Sequence, residues 1–242
     1  MKLSLCLVAL VHCEDEDQYQ DDQWYGPTAV AGPRSLNAGT PTDADRRYND
    51  MEAIAVKYWK KQGQTGKDKF DERKYWAYGC HCYTLGDRPM SQMGRGAPVD
   101  MLDSKCRAYK QCQKCVRAKH GENCIGEMVR YTWKWSTRQN TFISQNDPGS
   151  CERELFECDH QFVKDTYEQR DVFNRDYHAF WSSTGFDRDD EAYCTPRGSI
   201  PVEHECCGGE TKPWYWIPVG AGRKQCCAHA DGGIIKPDGE VC

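Results

Sequence analysis

The chain has 242 residues, 16 cysteines and a formal net charge of −5. Because the polyanionic backbone of nucleic acids selects basic proteins, this charge argues against a nucleic-acid partner. No stretch approaches the roughly 20 consecutive apolar residues of a transmembrane helix, so we expect no transmembrane segment. A high density of cysteines is typical of exported chains, in which they pair as disulfides. These features predict a secreted, extracellular protein with a disulfide framework.

The first 47 residues carry export and tail signals. Lys2, a short apolar run and the acidic stretch after Cys13 are typical of a secretory signal peptide over 1–13. Loss of Cys6 with Cys13 would leave an even number of thiols, so all of them could pair. Residues 14–47 are polar and rich in Gly, Pro and Thr, which predicts an acidic flexible tail.

The tail begins with clustered carboxylates, which attract calcium weakly and multivalently. The candidate ligands are Glu14, Asp15, Glu16, Asp17, Asp21 and Asp22. The alternative is that these residues only keep the tail soluble.

Apolar periodicity predicts three helices and one hairpin between residues 48 and 194. In chain order they are a short helix over 49–60, a long helix over 100–118, strands over 131–136 and 141–144, and a second long helix over 151–170. Asn49 or Asp50 caps the first helix. Aromatic residues alternate along the first strand, so one of its faces is expected to be buried.

Four stretches of this region resemble secreted phospholipase A2. Tyr78-Gly79-Cys80-His81-Cys82 and the run from Gly94 to Cys112 are similar to the calcium loop and catalytic helix of that family. The run from Cys151 to Asp159 resembles its second signature, and 173–177 its following Tyr-Asn-x-x-Tyr stretch. The resemblance covers 48–194. It implies a mainly α, disulfide-rich fold with two long antiparallel disulfide-linked helices and a β-hairpin.

The resemblance also implies a disulfide pattern. The implied pairs are Cys80 with Cys194, Cys82 with Cys106, Cys112 with Cys158, and Cys124 with Cys151. Two further family bridges have lost both partners together: Lys105 and Asp165 replace one, Ser144 and Phe156 the other. Paired loss leaves no orphaned thiol in an oxidising compartment. For the same reason we favour structural cysteines over a zinc site at Cys80-His81-Cys82 or at Cys112 and Cys115.

The catalytic positions of the family are altered. Its general-base histidine and calcium-binding aspartate correspond to Tyr109 and Lys110. A tyrosine titrates near about 10 in model peptides, so it is a poor base at neutral pH. An ammonium group repels calcium. Asp159 matches the aspartate that orients the missing histidine, and we expect it to accept a hydrogen bond from Tyr109.

Further departures leave alternatives open. Tyr83 replaces the glycine expected after Cys82, and the segment from there to Pro98 is longer than in the family. The alternative to an inactive protein is a relocated base, for which the candidates are His81, His120 and His160. Ile54 and Tyr58 either line an apolar channel for an acyl chain or are ordinary core residues.

The chain ends in a predicted linker over 195–205 and a cysteine-rich module over 206–242. Its two double cysteines and its glycines weakly resemble the di-cysteine repeats of galaxin-like matrix proteins. A small disulfide-stapled tail is an equal alternative. The module holds an odd number of cysteines, namely Cys206, Cys207, Cys226, Cys227 and Cys242. If all thiols are paired, Cys115 must bridge to one of them, while the individual pairing stays open.

Together these features predict a secreted, non-catalytic phospholipase A2-like scaffold of the extracellular matrix or of a biomineral. Its expected partner is matrix or a mineral surface, with no required cofactor and at most weakly bound calcium. One alternative is a toxin-like homologue that binds lipid or a receptor, suggested by Lys110, although such homologues are usually basic. Another is a calcium-dependent phospholipase A2 with displaced catalytic residues.

Overall fold

The computed structural model describes residues 49–83, 93–196 and 202–242. The predicted signal peptide, the acidic tail with its candidate calcium ligands and part of the predicted linker, 197–201, lie outside the described residues.

Three α-helices form the larger part of the fold: α1 (Asn49–Lys61), α2 (Met101–His120) and α3 (Cys151–Glu168). The side chain of Asp100 caps α2 by accepting a hydrogen bond from the backbone N–H of Asp103, and Ser150 caps α3 in the same way. Helix α2 ends at Gly121, whose φ of 96° suits a glycine. Among the described residues, none of the helices is both long and apolar enough to cross a bilayer.

Two short antiparallel pairs accompany the helices. Strands β1 (Ala77–Tyr78) and β2 (Cys82–Tyr83) lie before α2, and β3 (Trp133–Ser136) pairs with β4 (Thr141–Ser144) between α2 and α3. Trp133 and Trp135 are both buried, and each packs edge-on against Phe142 with ring centroids 4.9 Å apart. The alternating aromatic residues of β3 therefore lie on its buried face, as predicted.

The C-terminal module consists of two antiparallel hairpins, β5 (His204–Gly209) with β6 (Lys212–Pro218) and β7 (Lys224–Cys227) with β8 (Ile234–Pro237). Glycines let its strands approach closely. A Cβ at Gly232 would meet the carbonyl oxygen of Gly209 at 2.3 Å, and one at Gly233 would meet Sγ of Cys226 at 2.5 Å. The glycines beside the double cysteines thus have a packing role.

Disulfides connect these parts. The structure contains the four pairs implied by the resemblance, and three more that involve the module: Cys115–Cys206, Cys207–Cys226 and Cys227–Cys242. Cys112–Cys158 joins α2 to α3, so the two long helices are disulfide-linked. The required bridge from Cys115 ends at Cys206 and ties α2 to the first strand of the module.

Some observed boundaries differ from the predicted ones by a few residues. The predicted linker over 195–205 extends into β5, because His204 and Glu205 already pair with Pro218 and Ile217 of β6. Helix α2 continues to His120, two residues beyond its predicted end. Helix α3 ends earlier, at Glu168, and a 3-10 turn over Arg170–Val172 follows.

Candidate functional site

The centre of the candidate site is a hydrogen bond between the two long helices. The hydroxyl of Tyr109 on α2 donates to Oδ1 of Asp159 on α3 over 2.8 Å. Both side chains are buried. The Cys112–Cys158 disulfide lies next to them on the two helices and fixes their spacing.

Two more donors complete a network around Asp159. The hydroxyl of Tyr131, just before β3, donates to Oδ2 of Asp159 over 2.5 Å, and Nε2 of Gln113 donates to Oδ1 over 3.0 Å. Burial raises the pKa of Asp159 to about 7, although the bonds from Tyr131 and Tyr109 favour its ionised form. The carboxyl is held by three neutral donors in the interior.

Tyr109 cannot serve as a base in this setting. Burial, together with the charge of Asp159 beside it, raises its pKa well above the ordinary value of 10.0. Its hydroxyl therefore keeps its proton at neutral pH and acts as a hydrogen-bond donor. A neutral donor stands where proton abstraction from water requires an acceptor.

Lys110 follows on the same helix and is 3% exposed. Burial lowers its pKa to about 8; the negative charge of Glu127 opposes that shift, and the positive charge of Arg188 adds to it. At neutral pH the side chain thus retains its proton. A buried ammonium group at this position disfavours a divalent cation, which binds oxygen ligands.

Asp103 organises the segment that leads into β2. It is fully buried and accepts hydrogen bonds from the backbone N–H groups of Cys80, His81, Cys82 and Val99 over 2.7 to 3.2 Å. Burial raises its pKa to about 6, and the four amides pull in the opposite direction. The backbone that leads into β2 is therefore held by a side chain of α2.

The three candidate replacement bases lie in different surroundings. Nε2 of His81 is 3.2 Å from the carbonyl oxygen of Gly96, and Nε2 of His120 is 2.8 Å from Oε2 of Glu154. His160 lies against β4, with Nε2 3.0 Å from Oγ1 of Thr141, and burial lowers its pKa to about 4. The network around Asp159 uses Tyr109, Tyr131 and Gln113 as donors in place of a histidine.

The candidate channel residues fall at the edge and centre of the core. Ile54 is completely buried in the main cluster, and Tyr58 packs edge-on against Tyr167 at 5.5 Å between ring centroids. These contacts describe packing. The acyl-chain channel stays a prediction.

The positions of one lost family bridge are joined by charge. Nζ of Lys105 on α2 lies 3.2 Å from Oδ1 of Asp165 on α3. At the other lost bridge, the Phe156 ring is buried, while Oγ of Ser144 lies 3.4 Å from the carbonyl oxygen of Thr132. An ion pair thus connects the two long helices at this point.

A second polar cluster, which we call the module interface, centres on Glu154 of α3. This fully buried carboxylate accepts bonds from Nζ of Lys119 over 2.6 Å and from Nε1 of Trp214 in β6 over 2.7 Å. It also bonds the backbone N–H of Glu210 and faces Nε2 of His120 at 2.8 Å. Together with Cys115–Cys206, it attaches the module to both long helices.

Sequence reasoning missed most members of these two clusters. Gln113 had a usable signal, because it lies one helical turn after Tyr109 on the same face of α2. Tyr131 and Glu154 had none, since their partners are distant in sequence. Only the folded chain brings Glu154 to Trp214, 60 residues away.

The two disulfide-linked long helices and the hairpin define a phospholipase A2-like scaffold. Comparisons with curated proteins agree. The chain is 31% identical over 114 residues to basic phospholipase A2 homolog 2 of Bothrops brazili, which covers 47% of this chain and 79% of that protein. Basic phospholipase A2 homolog MjTX-I of Bothrops moojeni is 32% identical, and basic phospholipase A2 homolog bothropstoxin-I of Bothrops jararacussu is 31% identical; each match spans 114 residues, 47% of this chain and 70% of the relative.

No protein-family model matches the chain. The matched relatives nevertheless exceed 30% identity, and the matched segment covers 79% and 70% of two of them. The chain belongs to the phospholipase A2 family.

Proposed function

We propose that this protein is an exported, non-catalytic phospholipase A2 homologue that acts by binding a lipid surface or a receptor. The observation that carries the proposal is the bond from Tyr109 to Asp159, with Lys110 beside it. The residue pair that would supply a base and a calcium ligand supplies a neutral hydroxyl and an ammonium group. The scaffold is kept, and the chemistry of ester hydrolysis is lost.

The protonation states support this proposal. The family mechanism needs a neutral imidazole that accepts a proton from water, with calcium to polarise the ester. The raised pKa of Tyr109 keeps its proton in place, and Lys110 with a pKa of about 8 stays charged at neutral pH. The chain thus has neither the base nor the calcium ligand at these two positions.

The named relatives favour binding over a matrix role. They are phospholipase A2 homologs, and one is named bothropstoxin-I. The matrix or biomineral interpretation rests on the acidic tail and on the weak likeness of the module to di-cysteine repeats, and the comparisons add nothing to it. Weak calcium binding by Glu14 to Asp22 stays a separate proposal. The relatives are named basic, whereas this chain has a net charge of −5. Its binding therefore depends on a limited patch of the surface and not on the overall charge.

Export is supported by the disulfides. All fourteen cysteines from Cys80 onward are paired in seven bridges. Such a framework forms and persists in oxidising compartments and is rare in the cytosol.

The test is a hydrolysis assay on phospholipid vesicles with and without millimolar calcium. We expect no calcium-dependent release of fatty acid by the wild-type protein. The Tyr109→His/Lys110→Asp variant should also recover little activity, because Tyr83 replaces the loop glycine as well. Calcium-dependent turnover by the wild type would overturn the non-catalytic assignment and favour displaced catalytic residues.

A further inference from the structure

The end of α1 and the segment after it form a surface rich in lysine, which we call the lysine surface and define as residues 60–69. Its exposed lysines are Lys60, Lys61, Lys67 and Lys69. Asp68 is the one acidic residue in this stretch, so its net charge is +3 in a chain whose net charge is −5. A local excess of one sign of charge attracts partners of the opposite sign.

Contacts with Trp59 of α1 hold the lysine surface in one place. The backbone N–H of Gln64 donates to the carbonyl oxygen of Trp59 over 2.9 Å. Directly after the segment, the Phe70 ring packs against the Trp59 ring with centroids 5.7 Å apart. The chain therefore folds back over the end of α1, and the lysines before and after the turn lie in the same region.

The hairpin of β3 and β4 borders this surface. Nζ of Lys61 lies 5.5 Å from the centroid of the Trp135 ring in β3. Arg138, in the turn of the same hairpin, is also exposed. The neighbouring hairpin thus extends the positive charge beyond α1.

A stretch of complementary charge lies in the predicted acidic tail. Six of the nine residues from Glu14 to Asp22 carry carboxylates, and no lysine or arginine interrupts them. This stretch lies outside the described residues. Its charge of −6 is opposite in sign to that of the lysine surface and exceeds it in magnitude.

The length of chain between the two stretches permits contact. Residues 23–48 provide a spacer of 26 residues before α1 begins at Asn49. A coil of that length spans about 28 Å on average. From Asn49 to Lys61 a helix rises about 18 Å. The carboxylates can therefore reach the lysines, at an effective concentration in the millimolar range.

We propose that the acidic stretch from Glu14 to Asp22 binds the lysine surface of its own chain. The inference is independent of the proposed function. Each exposed ion pair contributes little, but several pairs on one tether act together. The contact covers the cations of the lysine surface, so an outside polyanion has to displace the tail before it can bind there. Because salt screens exposed charges, high ionic strength opens the contact.

The test is cross-linking of the whole secreted chain with a carbodiimide, which joins a carboxylate directly to a lysine that it contacts. Peptide mapping then locates the cross-links. Those from residues 14–22 to the lysine surface should be on the order of tenfold more abundant than those to Lys224, an exposed lysine of the module. In about 1 M sodium chloride, where the Debye length is about 3 Å, this preference should disappear.

Two double variants separate the lysine surface from charge in general. Lys67→Gln/Lys69→Gln removes two of its cations and should lower the cross-linking of the remaining Lys60 and Lys61 about threefold. The matched control is Arg223→Gln/Lys224→Gln, which removes two exposed cations of the module and should leave that cross-linking unchanged. Circular dichroism checks that both variants are folded.

A second measurement identifies the occupant of the surface by retention on immobilised heparin. Replacing the six carboxylates of the tail by amides should raise the salt concentration needed for elution, because the tail no longer competes. The rise should be smaller in the Lys67→Gln/Lys69→Gln background than in the Arg223→Gln/Lys224→Gln background. Equal rises would show that the tail does not cover the lysine surface, which would then be open to an outside polyanion. Cross-links spread evenly over the exposed lysines would likewise overturn the inference.

Discussion

Two of the buried carboxylates of helix α3, Glu154 and Asp159, lie only five residues apart, and their partners differ in kind. Asp159 receives hydrogen bonds from Tyr109, Tyr131 and Gln113, all of them neutral side chains of the phospholipase A2-like domain. Glu154 receives bonds from the cation of Lys119 and from Trp214 of the module. Among the described residues, the carboxylate of Asp159 bonds only side chains of its own domain, whereas Glu154 connects that domain to the module.

The difference shows what a buried carboxylate needs. Neutral donors around Asp159 only partly offset its desolvation, so its pKa rises to about 7. At Glu154 a lysine supplies a compensating charge in addition to hydrogen bonds. The site inherited from the family thus keeps a carboxyl that is easily neutralised, whereas the module interface is built around an ion pair.

The largest effect is expected at the module interface. Glu154→Ala removes the acceptor shared by Lys119, Trp214 and the N–H of Glu210. The ammonium group of Lys119 can turn to solvent, since its side chain is 36% exposed, but the donors of Trp214 and Glu210 lose their buried acceptor. Each buried donor left unsatisfied in this way costs about 1–3 kcal/mol. Denaturant unfolding measures the loss, and hydrogen exchange should show that β5 and β6 become less protected.

The control is Glu168→Ala, because Glu168 is an acidic residue at the end of the same helix, outside the module interface. It should change stability by less than about 0.5 kcal/mol. If Glu154→Ala is equally mild, the Cys115–Cys206 bridge and the packing of Trp214 hold the module without the carboxylate.

The second largest effect is expected at Gly209 of the module, which packs against Trp214. A Cβ at Gly209 would lie 2.3 Å from Cζ2 of Trp214, and the residue has a φ of 86°. Gly239 has nearly the same φ, 84°, and a Cβ added there would meet nothing within 4 Å. Alanine at Gly239 therefore measures the cost of backbone strain without the cost of a steric clash. We expect Gly239→Ala to cost about 1 kcal/mol and Gly209→Ala about 1–3 kcal/mol more.

Thermal unfolding of the two variants checks this expectation. Trp214 fluorescence should change only in Gly209→Ala, because only that substitution displaces the indole. Equal losses of stability in the two variants would mean that the module accommodates the added methyl group at Gly209. Glycine would then be required there only for its positive φ.

The sequence predicted the helices and the hairpin because these depend on local periodicity, and four of the seven disulfides were implied by the resemblance to phospholipase A2. The link from Tyr109 to Asp159 was also predictable, since both positions belong to motifs of a known family. The contacts of Glu154 were not, because they join α3 to a strand 60 residues away. Nor did apolar spacing place Phe180 at the surface, where it is 65% exposed.

A smaller, pH-dependent effect tests the other carboxylate. The pKa of Asp159 is about 7 in the folded protein, against about 3.9 for an unperturbed aspartate. Between these values the folded state binds the extra proton, so Asp159 makes stability fall as pH rises from about 4 to 7. Asp159→Asn should remove that share of the decline, as measured by denaturant unfolding at several pH values.

The decline should shrink without vanishing, because the pKa values of Asp103 and Glu72 are also raised, to about 6 and about 7. Asp103→Asn is the comparison that removes a different share. An Asp159→Asn variant with an unchanged pH profile would show that the carboxyl titrates normally despite its burial.

The smallest effect is expected at the ion pair between Lys105 of α2 and Asp165 of α3. Nζ of Lys105 lies 3.2 Å from Oδ1 of Asp165, but the lysine side chain is 31% exposed, so solvent screens the attraction. Gln161 also donates to the same oxygen over 3.0 Å, which leaves Asp165 a partner when Lys105 is removed. A double-mutant cycle with Lys105→Ala and Asp165→Ala should give a coupling of about 0.2–1 kcal/mol that falls with added salt. Coupling above about 2 kcal/mol would place this pair beside Glu154 as a buried joint between α2 and α3, and would mean that the helices depend on charge where the family depends on a covalent bond.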